Sequence, residues 1–560
     1  MNRKIEIYCT NISEYLELER GTSLHEAARL IGSRIGFEPI CALVNNKTES
    51  LDFPVFGPKQ VEFLDRHSRA GRDVYFRSLC MMSYKVVTDL LPGTHLRIEM
   101  SISKGHYCRL YDAGGNMISV DADLSHEILS GLRALSGAGI PFERHERLTK
   151  DVIGLFRRQG LHEKVSLLET VKDLYTTYYI LDGLADSYYG PLAPDTSYID
   201  VFDVVGTRGG FLLMTPDPDA DSRAQTPQPQ PMLYKAFTDY LEFNRIIRVS
   251  NVGELNRAIA EKRTAGLINV AEAMHDKLLG RISDEIASRR ARGEAGIVLI
   301  AGPSSSGKTT TCKRLAIQLM TNCIVPRMIS LDDYFVNREQ TPRDETGDYD
   351  YEHLHALDLD LFNTHIRALL RGEEINLPTY SFELGQRIEK DRPLRLNDSD
   401  VLLIEGIHGL NPELTAGLPA SNIYKIYVSA LTTLRIDDHN WISTSDNRLL
   451  RRIVRDYKYR HTSALDTIRR WPSVRKGEER WIFPFQENAD AMFNSSLIFE
   501  IGVMKDYAEP LLRGVPHSDR EYAEAYRLLR FLHYFDPIPA DQVPATSLLR
   551  EFLGGSSFRY

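Results

Sequence analysis

The chain has 560 residues, 42% of them hydrophobic and 26% charged, with a formal net charge of −9 at pH 7. That length exceeds one core and predicts about three or four domains, while the negative balance excludes a generally nucleic-acid-coating surface and leaves any cationic function local. Cys9, Cys41, Cys80, Cys108, Cys312 and Cys323 form no C-x-x-C pair, so reduced thiols of a cytoplasmic protein are expected, not a disulfide framework or thiolate metal site.

The amino terminus alternates and turns acidic where a signal peptide needs an apolar run, and no 18-residue apolar segment follows, so no membrane association is expected. Residues 3–9 alternate as a strand, Thr22 or Ser23 precedes a short helix with Glu26 as its capping carboxylate, and ICALVNN reads as the next strand. These predict a small β-grasp-like unit over residues 1–65. A helix through SLCMMSYKVVTDLL, strands at HLRIEMSI, HYCRLYD and MISVDAD, and helices containing HEILSGLRALS and KDVIGLFRRQG predict an α+β unit over residues 66–214.

The polar, proline-rich run over residues 215–231 reads as a linker, and a mostly helical connector over residues 232–294 follows it. From residue 295 to about 515, apolar strands (GIVLIAG, RMISLDD, DVLLIEGI, IYKIYVSA) alternate with amphipathic helices, which predicts an α/β unit with a parallel sheet covered on both faces. Ligand should sit at the carboxyl ends of those strands. Residues 516–560 contain YAEAYRLLRFLHYFDPIP, a helical apolar pattern able to pack on the α/β unit or on a neighbouring copy in a homo-oligomer.

GPSSSGKT, residues 302–309, matches the phosphate-loop pattern and lies between a predicted strand and a predicted helix, the setting its mechanism demands. Gly302 and Gly307 let the backbone wrap phosphates, and the following helix offers its positive end. Lys308 neutralises β/γ charge and Thr309 offers a hydroxyl to Mg²⁺. The expected nucleotide-binding set is Gly302, Ser304, Ser305, Ser306, Gly307, Lys308, Thr309 and Thr310. The loop leaves open ATP or GTP, and hydrolysis or transfer.

Asp332 and Asp333 end the next strand beside the loop, where a carboxylate can take the proton of an attacking hydroxyl or hold Mg²⁺. Asp332 is nearer the expected crevice, and Asp333 suits a cap. Glu405 follows a buried apolar run and reads as a second Mg²⁺ element. His408 suits either a substrate contact or a structural role. Within DNRLLRRIVRDYKYR a helix aligns Arg448, Arg452 and Arg455, with Arg460, Arg469 and Arg470 beyond. This basic row suits a closing, charge-neutralising lid, a solvated face or an RNA-contacting patch. Tyr351, Glu352, Tyr380 and Phe382 offer a carboxylate for sugar hydroxyls and rings for a flat base, or core packing.

GPSSSGKTT, SLDDYF, YDYEHLHALD, LPTYSF, LLIEGIHGLN and DNRLLRRIVRD together resemble the uridine kinase/phosphoribulokinase family. The resemblance implies a P-loop kinase with a helical lid, using ATP and Mg²⁺ to phosphorylate a nucleoside 5'-hydroxyl, with uridine or cytidine foremost. It further implies Asp332 as base, Lys308 as phosphate-binding lysine and Thr309, Asp332 and Glu405 as Mg²⁺ elements. Glu352, Tyr380, Phe382 and Arg452 would contact substrate, and Arg455 and Arg460 would be lid arginines. Gly385 stands where these kinases carry a base-recognising histidine, and Thr462 replaces a further lid arginine, so the acceptor extends to phosphoribulokinase-like or other small alcohols.

Residues 1–65 resemble a TGS domain, and residues 66 to about 210, with PFERHE and YYGPLAP, resemble the second additional domain of threonyl-tRNA synthetase. The metal positions of that editing domain correspond to Arg77, Met81, Tyr188 and Leu192, none a good zinc ligand. Regulation or scaffolding is therefore expected of the amino-terminal half. The TGS resemblance leaves RNA or regulatory-nucleotide binding by these domains open, and the alternative from another class is an RNA-associated, nucleotide-gated regulator that uses the α/β unit only as a switch.

Overall fold

In the computed structural model the described residues are 4–207, 209–218, 220–345 and 347–559. The first sheet follows from alternation, since Lys4–Cys9 turns Ile7 and Cys9 inward. Its strand order is Glu14–Glu19, Lys4–Cys9, Lys59–Leu64, Cys41–Val44, Lys47–Ser50. Lys4–Cys9 and Lys59–Leu64 run parallel. Helix Leu24–Ile31 covers one face and starts at a Ser23/Glu26 capping box, which decides between the two expected caps.

The second region wraps two sheets around helix Arg69–Leu90, whose buried residues run from Gly71 to Val87. In the stretch expected as a linker, Pro216–Asp217 pairs antiparallel with Ala220–Ala224. Main-chain pairing needs no apolar core, so composition does not reveal it. The following helix, Pro231–Ile247, is held at its start by the Glu487 carboxylate, which accepts from the Met232 and Leu233 amides at 3.0 and 3.2 Å.

The third region carries five parallel strands. They are β1 (Ile297–Ala301), β2 (Val325–Ser330), β3 (Asp400–Glu405), β4 (Ile423–Ser429) and β5 (Ala491–Asn494), in spatial order β2-β3-β1-β4-β5. β1 and β3 are buried along their whole length, as apolar central strands of a two-faced sheet must be. Helices α1 (Lys308–Thr321), α2 (Thr444–Arg460) and α3 (Ala464–Trp481) surround the carboxyl edge.

One core joins this sheet to connector helices Val252–Ala260 and Thr264–Arg290 and to the carboxyl-terminal residues Ala525, Leu528, Leu548 and Phe552. The terminal apolar pattern thus packs within its own chain, and Arg520 reaches the first sheet through a 2.7 Å ion pair with Glu62. All six cysteines are free thiols. Among the described residues no helix is long and apolar enough to cross a membrane.

Candidate active site

Sheet register assembles the centre. Glu405 at the end of β3 lies level with Ile300 of β1 on one side and Ser330 of β2 on the other. The loop leaving β1, the Asp332 turn leaving β2 and the β3 carboxylate therefore emerge at one edge. Thr309 Oγ1 donates to Glu405 Oε1 at 3.3 Å and Ser330 Oγ donates to it at 2.9 Å. Burial, reinforced by the charge of Asp332 and opposed by Lys308, pushes the Glu405 carboxyl up to about 7. Lys308 is shifted downward by burial, against the pull of Glu405 and Asp332, and its Nζ donates to Pro303 O at 3.1 Å.

The phosphate loop is rigidly backed. A Cβ at Gly302 would lie 2.0 Å from Val428 O, and Gly307 has φ +84°. Glu478 of α3 accepts from the Ser304 amide at 3.0 Å and grips Arg448 of α2 with both oxygens, at 2.5 and 2.8 Å. Arg448 donates to Ser304 O and Arg452 to Ser304 Oγ, each at 3.0 Å. Arg451 donates to Ser305 O at 3.4 Å and pairs with Glu500.

The basic row thus divides. Arg448 and Arg451 are buried supports of the loop. Arg455 and Arg460 cluster around Asp456, at 2.7 and 3.6 Å. The neighbouring charge of Arg455, with burial, lowers Arg460 to about 10. Arg469 lies away, paired with Glu521 at 2.9 Å. Arg451, Glu478 and Glu500 are not legible in the sequence, because their role depends on α2, α3 and the helix Glu500–Arg513 meeting at the loop.

The paired acids separate too. Asp333 accepts from Arg392 at 2.9 Å, whereas the charge of Asp332 bears on Lys308, Glu405 and Arg460. Phe335, Tyr380 and Phe382 form a ring cluster with centroids 5.1–5.6 Å apart, joined by Tyr351 at 6.2 Å from Phe335. The Tyr380 hydroxyl is buried with no hydrogen-bond partner among the described residues. Arg460 lies 5.5 Å over the Phe382 ring. Gly477 of α3 abuts Glu352, since a Cβ there would come within 2.3 Å of the Glu352 Cβ. Burial, opposed by Arg452, pushes the Glu352 carboxyl up to about 7.

At Gly385 a Cβ would meet the Arg338 guanidinium at 2.5–2.8 Å, and Arg338 donates to Phe382 O at 3.1 Å. His408 is buried and pushed down to about 3 by that burial, hence a neutral ring. Among the described residues no three carboxylate, imidazole or thiol groups converge as a closed metal site. Thr309, Ser330 and Glu405 nevertheless form an oxygen-only donor set, with a buried carboxyl whose raised pKa a cation would reverse, and this fits Mg²⁺.

A five-stranded parallel sheet with this loop at its carboxyl edge is the framework of a P-loop phosphotransferase. Residues 297–498 match the model of the Phosphoribulokinase / Uridine kinase family. A uridine kinase of Bacillus pumilus is 32% identical over 200 residues, covering 36% of this chain and 86% of that protein. Uridine-cytidine kinase B of Dictyostelium discoideum is 29% identical over 197 residues, covering 35% and 73%. A solved structure described as a possible uridine kinase, from Bacillus stearothermophilus, is 21% identical, covers 36% of this chain and 89% of its own, and gives a TM-score of 0.25. The chain belongs to the phosphoribulokinase/uridine kinase family and is an ATP-dependent kinase acting on an alcohol group.

Proposed function

We propose that the protein transfers the γ-phosphoryl group of ATP to the 5'-hydroxyl of a nucleoside, with uridine and cytidine as first candidates. One observation carries this reading: the charges of Lys308 and Asp332 bear on Glu405 at the carboxyl end of the sheet, and Phe335, three residues beyond Asp332, belongs to the ring cluster with Tyr380 and Phe382. In this reading the rings hold the base, Glu352 and Arg452 position the sugar, and the Tyr380 hydroxyl gains the polar partner it lacks.

Asp332 accepts the proton of the attacking hydroxyl and aligns it. Lys308, the loop amides, Arg455 and Arg460 stabilise charge on the moving phosphoryl group. Thr309, Asp332 and Glu405 would hold Mg²⁺, whose contribution is neutralisation of donor phosphate charge. The amino-terminal half acts in regulation or scaffolding, and the combination TGS-like, editing-domain-like and kinase is the proposed domain order.

A second reading rests on Arg338. A guanidinium packed on Gly385 at the rim of the ring cluster favours an acceptor with a carbonyl or anion there, which keeps other small alcohols in play. A panel of uridine, cytidine, purine nucleosides and sugar phosphates, read by ADP release and product mass, separates the two. Asp332→Asn should lower kcat by at least about 100-fold with ATP affinity nearly intact. Near-normal turnover would remove Asp332 as the base, and no product with any acceptor would favour an RNA-associated switch.

A further inference from the structure

The head of α1 already holds an anion. Glu551, in the short carboxyl-terminal helix Arg550–Leu553, accepts at Oε2 from the Thr310 amide at 3.2 Å and from the Thr310 hydroxyl at 2.6 Å. Thr310 is itself fully buried. Its amide belongs to the first turn of α1, where unpaired N–H groups and the positive helix end attract phosphate. The same carboxylate bears electrostatically on Lys308 and Glu405.

The segment that delivers Glu551 is anchored on both sides. Leu548 packs on Gly307 so closely that a Cβ there would lie 2.6 Å from its Cδ2. Phe552 is fully buried with the Arg451 guanidinium 5.1 Å from its ring, and Arg451 is the residue bonded to Ser305 O. Lys458 Nζ donates to Leu553 O at 2.6 Å, and Lys313 Nζ donates to Arg559 O.

We propose that residues 544–559 form an autoinhibitory strap, in which Glu551 stands in for a donor phosphate at the head of α1 and must withdraw before ATP binds fully. The proposal rests on reading Gly302 to Thr310 as the nucleotide site. A carboxylate and a phosphate are both acceptors for the one Thr310 N–H, and their like charges repel, so the two states exclude each other. Apparent affinity for ATP is then reduced by the fraction of molecules whose strap is closed.

The test uses the full chain, with ATP and excess Mg²⁺ in equilibrium dialysis. Glu551→Gln keeps a carbonyl acceptor for Thr310 and removes the charge, and it should tighten ATP binding by roughly tenfold. Equal or weaker binding by a variant that melts like the parent overturns the strap. Binding by neither protein overturns the nucleotide reading instead, which is a different failure. If Glu551→Gln does not fold, hydrogen exchange of the unaltered chain decides. ATP should slow exchange at residues 302–310 and speed it at 544–559, and slowing in the first with no speeding in the second overturns the proposal.

Discussion

Glu352 carries a measurable signature at the scale of one residue. Its carboxyl is pushed from an ordinary 4.5 to about 7 in the folded chain, with burial as the main cause. Between those values the folded form binds more protons than the unfolded form, so this residue makes stability fall as pH rises from about 4.5 to 7. Glu352→Gln should remove that fall, gaining about 3 kcal/mol over the parent at pH 8 and almost nothing near pH 4. Denaturant unfolding at the two pH values checks it, and a pH-independent difference would show that Glu352 ionises freely. The residue was legible in YDYEHLHALD as a candidate carboxylate. Its perturbation was not, because that comes from Gly477 of α3 pressing against it.

At the scale of elements, α2, α3 and the phosphate loop meet in the Arg448–Glu478 pair, both residues fully buried. Helix α3 is laid on the loop, with Trp471, Val474, Gly477 and Glu478 buried. Removing one partner of a buried pair strands the other's charge, so Glu478→Ala should cost about 3 kcal/mol in urea unfolding. It should also weaken ATP binding, since the Ser304 amide loses its acceptor. Replacing both residues with Met should recover most of the stability but not the affinity. A loss under about 1 kcal/mol for Glu478→Ala would show that water reaches the pair.

At the scale of the molecule, the loop between β4 and α2 leaves the kinase region and enters the second region. Arg435 is buried and pairs with Glu99 at 2.7 Å and Glu163 at 2.8 Å. Asp437 and Asp186 share Lys164, each at 2.8 Å, and His439 closes on Asp186 at 2.7 Å. Trp441 stands edge-on to Phe76 with centroids 4.6 Å apart. Arg77 donates to Pro191 O at 3.1 Å, and Met81, Tyr188 and Leu192 are buried. Such an interlock couples the halves, so thermal unfolding should be one transition in the parent. Arg435→Ala should lower stability by about 3–5 kcal/mol and split the calorimetric melt in two. A single unshifted melt would show that the halves cohere without it.

The sequence by itself determined the chemistry of the carboxyl-terminal region. A phosphate loop between an apolar strand and a helix, followed by acids at strand ends, reports local backbone and residue type, and both are written in consecutive residues. Only the tertiary structure decided which arginines support the loop and that Asp333 is held by Arg392. It also decided that Glu551 reaches Thr310, 241 positions away in the sequence. Those outcomes depend on register between parallel strands and on helices meeting from distant parts of the chain, and no local pattern encodes such a distance.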